Sequence, residues 1–139
     1  MVLDTRIRES IFHDITHFGV RAAAGTIFIV HSLGKFDPGF TNFLSSVAVP
    51  AEMQYPIGLA ELIGGILLIS GILTRISSSI LAIDMLGAIF YVKHASSLTG
   101  QRGIEFEMLL LAANLYIIVA GPGRVSISHL VKKIPRFLQ

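Results

Sequence analysis

Several ionisable side chains lie inside stretches of sequence that are otherwise apolar. Residues 56–73 read PIGLAELIGGILLISGIL, and Glu61 is the one ionisable residue among them. A charge at the centre of a bilayer costs at least about 2.5 kcal/mol, so such groups normally face the protein interior and find polar partners. A carboxylate held in this way can accept a proton or bind a small polar group. The comparable polar residues of the other apolar stretches are Arg21, His31, Lys35, Asp84, Glu105, Glu107 and Asn114.

The depth of these residues along the predicted helices divides them into two groups. At a rise of 1.5 Å per residue, Glu61 and Glu107 each lie roughly 5 to 6 Å from the same end of their helices. We therefore predict an outer polar cluster of His31, Lys35, Glu61 and Glu107, and a deeper buried polar cluster of Arg21, Asp84 and Asn114. In the deeper cluster Arg21 is expected to neutralise Asp84. The alternative for both clusters is structural, because buried opposite charges can simply neutralise each other and fix the helix register.

Metal and thiol chemistry receive little support from the sequence. The chain has no cysteine, so it offers no disulfide, thiolate metal site or cysteine redox chemistry. His13 and His17 are four residues apart on a predicted helix and could in principle bind a metal. A solvated helix face explains the two histidines better, and we predict no metal site.

The composition indicates that the protein lies in a membrane. Of 139 residues, 53% are hydrophobic and 14% charged, against about 25% charged in soluble domains. Four apolar runs cover residues 18–34, 57–73, 76–92 and 104–121, which is the short end of what spans a bilayer. We predict an all-α, four-transmembrane-helix bundle that forms a single domain over residues 1–139. The alternative is an unusually apolar soluble helical bundle.

Two further segments are predicted as short amphipathic interfacial helices. One lies at the N-terminus, where Ile7, Ile11, Ile15 and Phe18 form an apolar stripe. The other lies in the first outer loop, where the pair Asp37-Pro38 is a helix start signal. Its apolar side would consist of Phe40, Phe43, Leu44 and Val47.

The distribution of basic residues predicts the orientation, since cytoplasmic loops carry more Lys and Arg. One side of the predicted bundle holds Arg6, Arg8, Arg75, Arg124, Lys132, Lys133 and Arg136, and the other holds Lys35, Lys93 and Arg102. We therefore expect a multi-pass protein of the cell membrane with both termini cytoplasmic, and no cleaved signal peptide. The net charge of +2, without a basic stripe, argues against nucleic acid as a partner.

Several motifs resemble those of one known family. They are Arg21 early in the first run, HSLGK at its end, ELIGG and GILTR around the second, an acidic start to the fourth, and GPGRVSIS after it. In order and spacing, over residues 21–128, these resemble the DoxX family of small four-helix integral membrane proteins. Members of that family have been linked with quinol oxidases and thiosulfate:quinone oxidoreductase complexes. The resemblance implies a respiratory or redox role in the membrane.

Two functional hypotheses follow. In the first, the protein is an integral membrane subunit of a quinone-linked redox complex, and His31, Lys35, Glu61 and Glu107 contribute a quinone head-group site. The sequence shows no intrinsic cofactor, so electrons would have to come from partner chains. In the second, the protein is a non-catalytic accessory subunit that packs against larger membrane subunits, or against a second copy of itself, within the lipid bilayer. A small-molecule carrier is disfavoured because four unbroken spans offer little for alternating access.

Overall fold

The computed structural model describes residues 10–131, 135 and 137, and all regular structure in this part of the chain is helical. The all-helical prediction is therefore confirmed. A 3₁₀ turn at Ala51–Met53 precedes the third helix, and a π-helical segment at Gly87–Val92 extends the fourth. The helices are α1 (Ile11–Lys35), α2 (Pro38–Ser46), α3 (Gln54–Ser70), α4 (Thr74–Leu86), α5 (Glu105–Ala120) and α6 (Ile127–Leu130).

Helix α1 begins at Ser10, whose side chain accepts a hydrogen bond from the His13 backbone N–H at 3.2 Å. From there it continues without a break to Lys35, so the prediction of a separate interfacial helix before the first span is wrong. No helix-breaking proline separates the predicted interfacial segment from the first apolar run. Residues 11–17 therefore form the first turns of α1. Ile7 lies outside the described residues, as do Arg6, Arg8, Lys132, Lys133 and Arg136.

Helix α2 confirms the predicted helix start in the first outer loop. The Asp37 carboxylate accepts a hydrogen bond from the Gly39 N–H at 2.7 Å, and Pro38 occupies the first helical turn, where its missing N–H costs nothing. The Gln54 side chain donates to the Asp37 carbonyl at 3.3 Å and so connects this loop to the start of α3. The loop is held over one end of the bundle.

A tight turn reverses the chain between α3 and α4. Gly71 (φ 74°) and Leu73 (φ 48°) both adopt left-handed backbone conformations there. The far end of α4 widens into the π-helical segment, where the Lys93 N–H donates to the Ala88 carbonyl five residues earlier at 3.0 Å. Such segments are rare and are often found at functional sites.

The bundle is built from two close helix pairs, α1 with α3 and α4 with α5, and contacts between α3 and α4 join them. Glycines permit the closest approach: Gly25 of α1 faces Gly65 of α3 with almost no space between the backbones. Close packing at small residues is typical of helices within membranes. The core residues are Ala24, Phe28, Leu68, Leu81, Met85, Leu110 and Ile117.

The outer faces of the long helices are apolar, as Ile63 (53% exposed), Ile83 (68%) and Leu109 (71%) illustrate. Within the described residues, two helical stretches are long and apolar enough to cross a membrane, Ala51–Ser70 and Thr74–Val92. They correspond to the second and third predicted spans. Helix α5 has 16 residues, and α1 carries basic residues at both ends of its apolar stretch. The presence of four membrane-spanning helices therefore stays a prediction.

Candidate functional site

A cavity of about 370 Å³ lies between α1, α2, α3, α5 and the end of α4. We call it the acidic cavity, after the three carboxyl groups that line it. All four residues of the predicted outer cluster contribute to its wall, together with two that were not predicted there. These six polar residues are His31, Lys35, Glu61, Asp84, Tyr91 and Glu107.

The remainder of the wall is apolar and rich in aromatic rings. Helix α2 contributes Phe40 and Phe43, whose rings stack at 5.7 Å, so this part of the predicted interfacial helix faces the cavity. Phe28 of α1 is buried at the inner end, and Phe106 of α5 contributes to the opposite wall. A mostly apolar wall with a few convergent polar groups is the usual character of a small-molecule site.

Glu61 is the most deeply buried carboxylate of the cavity, with 2% of the residue exposed. Its Oε1 lies 3.5 Å from Lys35 Nζ, and the same ammonium lies 4.7 Å from the centre of the Phe40 ring. Glu61 Oε2 has no hydrogen-bond donor among the described residues. The buried carboxyl group of Glu61 thus has one cationic neighbour and one oxygen that no protein donor among the described residues reaches.

Asp84 belongs to this cavity and not to a deeper cluster. Its carboxyl group and that of Glu61 lie within hydrogen-bonding reach of each other, and Lys35 acts electrostatically on both. A hydrogen bond between two carboxyl groups requires a proton on one of them, because an ionised carboxylate can only accept. The two side chains therefore form a pair that is suited to share one proton.

Glu107 is paired with Lys93, a lysine for which the sequence predicted no partner. Lys93 Nζ lies 2.7 Å from Glu107 Oε1 and also donates to the Gly103 carbonyl at 2.7 Å. Glu107 Oε2 is buried and, like Glu61 Oε2, has no donor among the described residues. The charge of Glu107 is thus balanced, while one of its oxygens stays available.

His31 stands at the more exposed side of the cavity. Its Nδ1 lies 2.9 Å from the Ile27 carbonyl, and since a carbonyl can only accept, Nδ1 carries the proton. In the neutral ring Nε2 is then an acceptor. The ring lies 5.2 Å from that of Phe106, which fixes its position beside α5.

The predicted deeper cluster of Arg21, Asp84 and Asn114 does not form. The guanidinium of Arg21 donates to the carbonyls of Pro122 and Val125, in the loop that follows α5. Gly121 (φ 74°) and Gly123 (φ 69°) allow this loop to fold back beneath α1, so the arginine points away from the bundle centre. The Asn114 amide donates to the Leu110 carbonyl of its own helix at 2.9 Å. The expected pairing of Arg21 with Asp84 is wrong.

His17 lies beside Arg21 at the same end, just before the predicted first span. Its Nε2 donates to the Gly121 carbonyl at 2.9 Å, and its Nδ1 lies 3.1 Å from the Tyr116 hydroxyl. Burial lowers the pKa of His17 below its ordinary value of 6.5, and Arg21 adds to the effect, whereas the Gly121 carbonyl opposes it. Both ring nitrogens have protein partners and the residue is buried, so the expected solvated helix face is wrong for His17, which has a structural role.

The family model described as DoxX matches residues 17–94, more than half of the chain. The chain belongs to the DoxX family. This match includes most of α1 and all of α2 to α4, and with them every cavity residue except Phe106, Glu107 and Leu110. DoxX membership places the protein among membrane proteins.

Among curated relatives of this DoxX protein, "Putative oxidoreductase CatD" of Bacillus subtilis is 35% identical over 116 residues, with 82% of this chain and 85% of the relative covered. "Uncharacterized membrane protein Rv3486" of Mycobacterium tuberculosis is 27% identical over 130 residues, with 82% and 80% covered. An uncharacterized protein of Haemophilus influenzae is 32% identical over 89 residues, with 62% and 58% covered. No solved structure matches.

One signal in this DoxX sequence could have placed Asp84 beside Glu61. Glu61 precedes Gly71 by ten residues, and Asp84 follows Thr74 by ten residues. In a helix hairpin with a tight turn, equal distances from the turn place two residues at the same height. When depth is counted in residues from the turn, and not from the end of each apolar run, Glu61 and Asp84 lie at the same height, as observed. The partnership of Lys93 with Glu107 had no comparable signal.

Proposed function

We propose that the protein is an integral membrane subunit of a quinone-linked redox complex, and that the acidic cavity holds a quinone head group. In this proposal α1, α3, α4 and α5 all span the bilayer, with both termini in the cytoplasm. The apolar outer faces of these helices support four spans. Arg75 and Arg124, at the end opposite the cavity, support the orientation, because basic residues favour the cytoplasmic side. The cavity then opens toward the outer half of the membrane.

The single observation that carries the proposal is the convergence of His31, Lys35, Glu61 and Glu107 on one aromatic-walled cavity. A volume of about 370 Å³ falls within the range of small-molecule sites, roughly 300 to 1,000 Å³. The unpartnered oxygens of Glu61 and Glu107 support a ligand that donates hydrogen bonds to them. These residues therefore fit a polar ring that carries an apolar tail.

Each polar residue has a distinct role in such a site. Glu61 and Glu107 would bind polar substituents of the ring, and Phe40 and Phe106 would pack against its faces. Lys35 balances the charge of Glu61, and its ammonium can also donate to a ring oxygen. A bound quinone would supply two-electron, two-proton chemistry, whereas the protein would hold the ring and exchange protons with it.

The electrons would pass through a partner chain. The sequence has no cysteine and so provides no thiolate ligands for an iron–sulfur cluster. The name of the Bacillus subtilis relative, which includes the word oxidoreductase, supports a redox association. An accessory subunit without a quinone site is the competing function, and it predicts partner chains but no bound quinone.

Native purification separates these two functions. The protein would be isolated from its own membranes in a mild detergent, its co-purifying chains identified, and quinone extracted from the complex and quantified. We expect a redox subunit among the partners and quinone retained in proportion to this chain. Partner chains with no quinone above the level of free lipid would instead establish an accessory role.

A further inference from the structure

The acidic cavity offers many more hydrogen-bond acceptors than donors. Glu61 Oε2 and Glu107 Oε2 are buried oxygens that no donor among the described residues reaches. His31 adds a third acceptor, because its Nδ1 proton is directed at the Ile27 carbonyl and leaves Nε2 open in the neutral ring. Asp84 adds a second carboxyl group next to Glu61. A ligand with hydroxyl groups would satisfy these atoms, whereas a ligand with carbonyl groups would not.

The donors that line the cavity are already engaged with protein groups. The Tyr91 hydroxyl donates to the Ala48 carbonyl at 3.2 Å. The Lys35 ammonium is engaged by Glu61 Oε1 at 3.5 Å and by the Phe40 ring, which leaves one of its three N–H groups for a ligand. A proton shared by Glu61 and Asp84 would be held between those two groups and would not be free for a ligand. The balance of hydrogen-bonding groups therefore favours a donor ligand.

The two oxidation states of a quinone differ in this respect. The oxidised ring carries two carbonyl oxygens, which accept hydrogen bonds, and the reduced ring carries two hydroxyl groups, which also donate. A buried acceptor that loses its hydrogen bond costs about 1 to 3 kcal/mol, so one unmatched group changes affinity by roughly 5- to 150-fold. The cavity can therefore distinguish the two states by hydrogen bonding alone.

We propose that the acidic cavity binds the reduced, dihydroxy form of its ring ligand in preference to the oxidised form, with Glu61, Asp84 and Glu107 as the acceptors. This inference rests on the proposed function, since it assigns the redox state of the ligand at the same site. Asp84 becomes a ligand-facing residue in this arrangement. With Glu61 it provides four carboxyl oxygens within one buried group, more than Lys35 and one shared proton can saturate.

The test uses three probes with the same decyl tail: a 1,4-hydroquinone, the matching 1,4-benzoquinone and the hydroquinone dimethyl ether. Each would be titrated under anaerobic conditions into the purified full-length protein in detergent, and binding measured by calorimetry. We expect the hydroquinone to bind about tenfold or more tightly than either other probe. The dimethyl ether is the matched control, because it keeps the shape of the ring but has no hydroxyl hydrogen.

Glu61→Gln provides a second reading, since the amide replaces one acceptor with an N–H₂ donor of the same size. We expect this variant to lose most of the preference for the hydroquinone over the benzoquinone. It should bind the hydroquinone more weakly than wild type does, and the benzoquinone at least as tightly. If wild type binds the benzoquinone as tightly as the hydroquinone, the redox preference is overturned while the head-group site stands. If none of the three probes binds, the proposed function itself fails.

Discussion

Gly25 of α1 and Gly65 of α3 lie against each other's backbone, so that a Cβ atom added to either would stand 2.6 Å from the other's carbonyl oxygen. Real Cβ atoms do not approach a backbone oxygen that closely, and a helix backbone cannot yield as a flexible side chain does. The crossing of α1 and α3 is thus fixed by two residues without side chains. It also determines how far Lys35 of α1 can reach toward Glu61 of α3.

Gly65→Ala should push these two helices apart. We expect the free energy of unfolding in detergent to fall by about 1 to 3 kcal/mol, the usual cost of overpacking a tight contact. Gly19→Ala is the matched control, because a Cβ there meets nothing within 4 Å. It should leave stability unchanged or raise it by up to about 1 kcal/mol, since alanine favours helix more than glycine does. Equal stability of the two variants would mean that the crossing is looser than described.

Arg21→Ala should remove the hydrogen bonds that fasten the loop after α5 to α1. The loss of two part-buried, charge-assisted hydrogen bonds should cost about 3 kcal/mol in the free energy of unfolding. Because Arg21 and Asp84 are not partners, the effects of Arg21→Ala and Asp84→Asn should add to within about 0.5 kcal/mol in the double variant. A coupling energy well above about 1 kcal/mol would restore the ion pair that the sequence first suggested.

Acidification should destabilise the protein through His17. Burial lowers the pKa of this residue in the folded state below its ordinary value of 6.5, so the folded protein favours the neutral ring. The contribution of His17 to stability is present above pH 6.5 and is lost as the pH falls through that value and then through the lower folded pKa. Melting temperatures measured across this range should drop toward acid in wild type. They should fall less steeply in His17→Gln, and an identical slope would contradict the assignment.

The proposed orientation can be tested with single cysteines, since the natural chain has none. Thr99→Cys, in the loop before α5, should react with a membrane-impermeant maleimide in intact cells. Val131→Cys, after α6, should react only once the cells are opened. The reverse pattern would place the termini and Arg75 outside, and the acidic cavity would then face the cytoplasmic half of the membrane.

Apolar periodicity was sufficient to predict the long helices, because each buries one face and turns another toward an apolar surrounding. Spacing along the helices also predicted that Glu61, Lys35, His31 and Glu107 lie at the same end of the bundle. What the sequence could not supply were distances between elements that are remote in the chain. The loop after α5 reaches the Arg21 guanidinium because two of its glycines adopt positive φ angles. Asp84 lies beside Glu61 because the turn between α3 and α4 is short.

The aromatic wall of the cavity was also beyond prediction from periodicity. Phe40 and Phe43 form an apolar side that suits a membrane surface as well as it suits a cavity. Their direction is determined by the Asp37 cap and by the bond from Gln54 to the Asp37 carbonyl. Such tertiary contacts decide whether the apolar face of an amphipathic helix packs on a cavity or on a membrane surface.

Photolabelling with an azido-quinone tests the central claim most directly, because it reports where the ring lies. The purified protein, reconstituted in lipid, would be illuminated with the probe, and the modified residues located by mass spectrometry with and without excess unlabelled ligand. We expect labels that the competitor removes, on cavity-lining residues such as Phe40, Tyr91 and Phe106. Labels spread over lipid-facing residues such as Ile63 and Ile80, with no effect of the competitor, would contradict it.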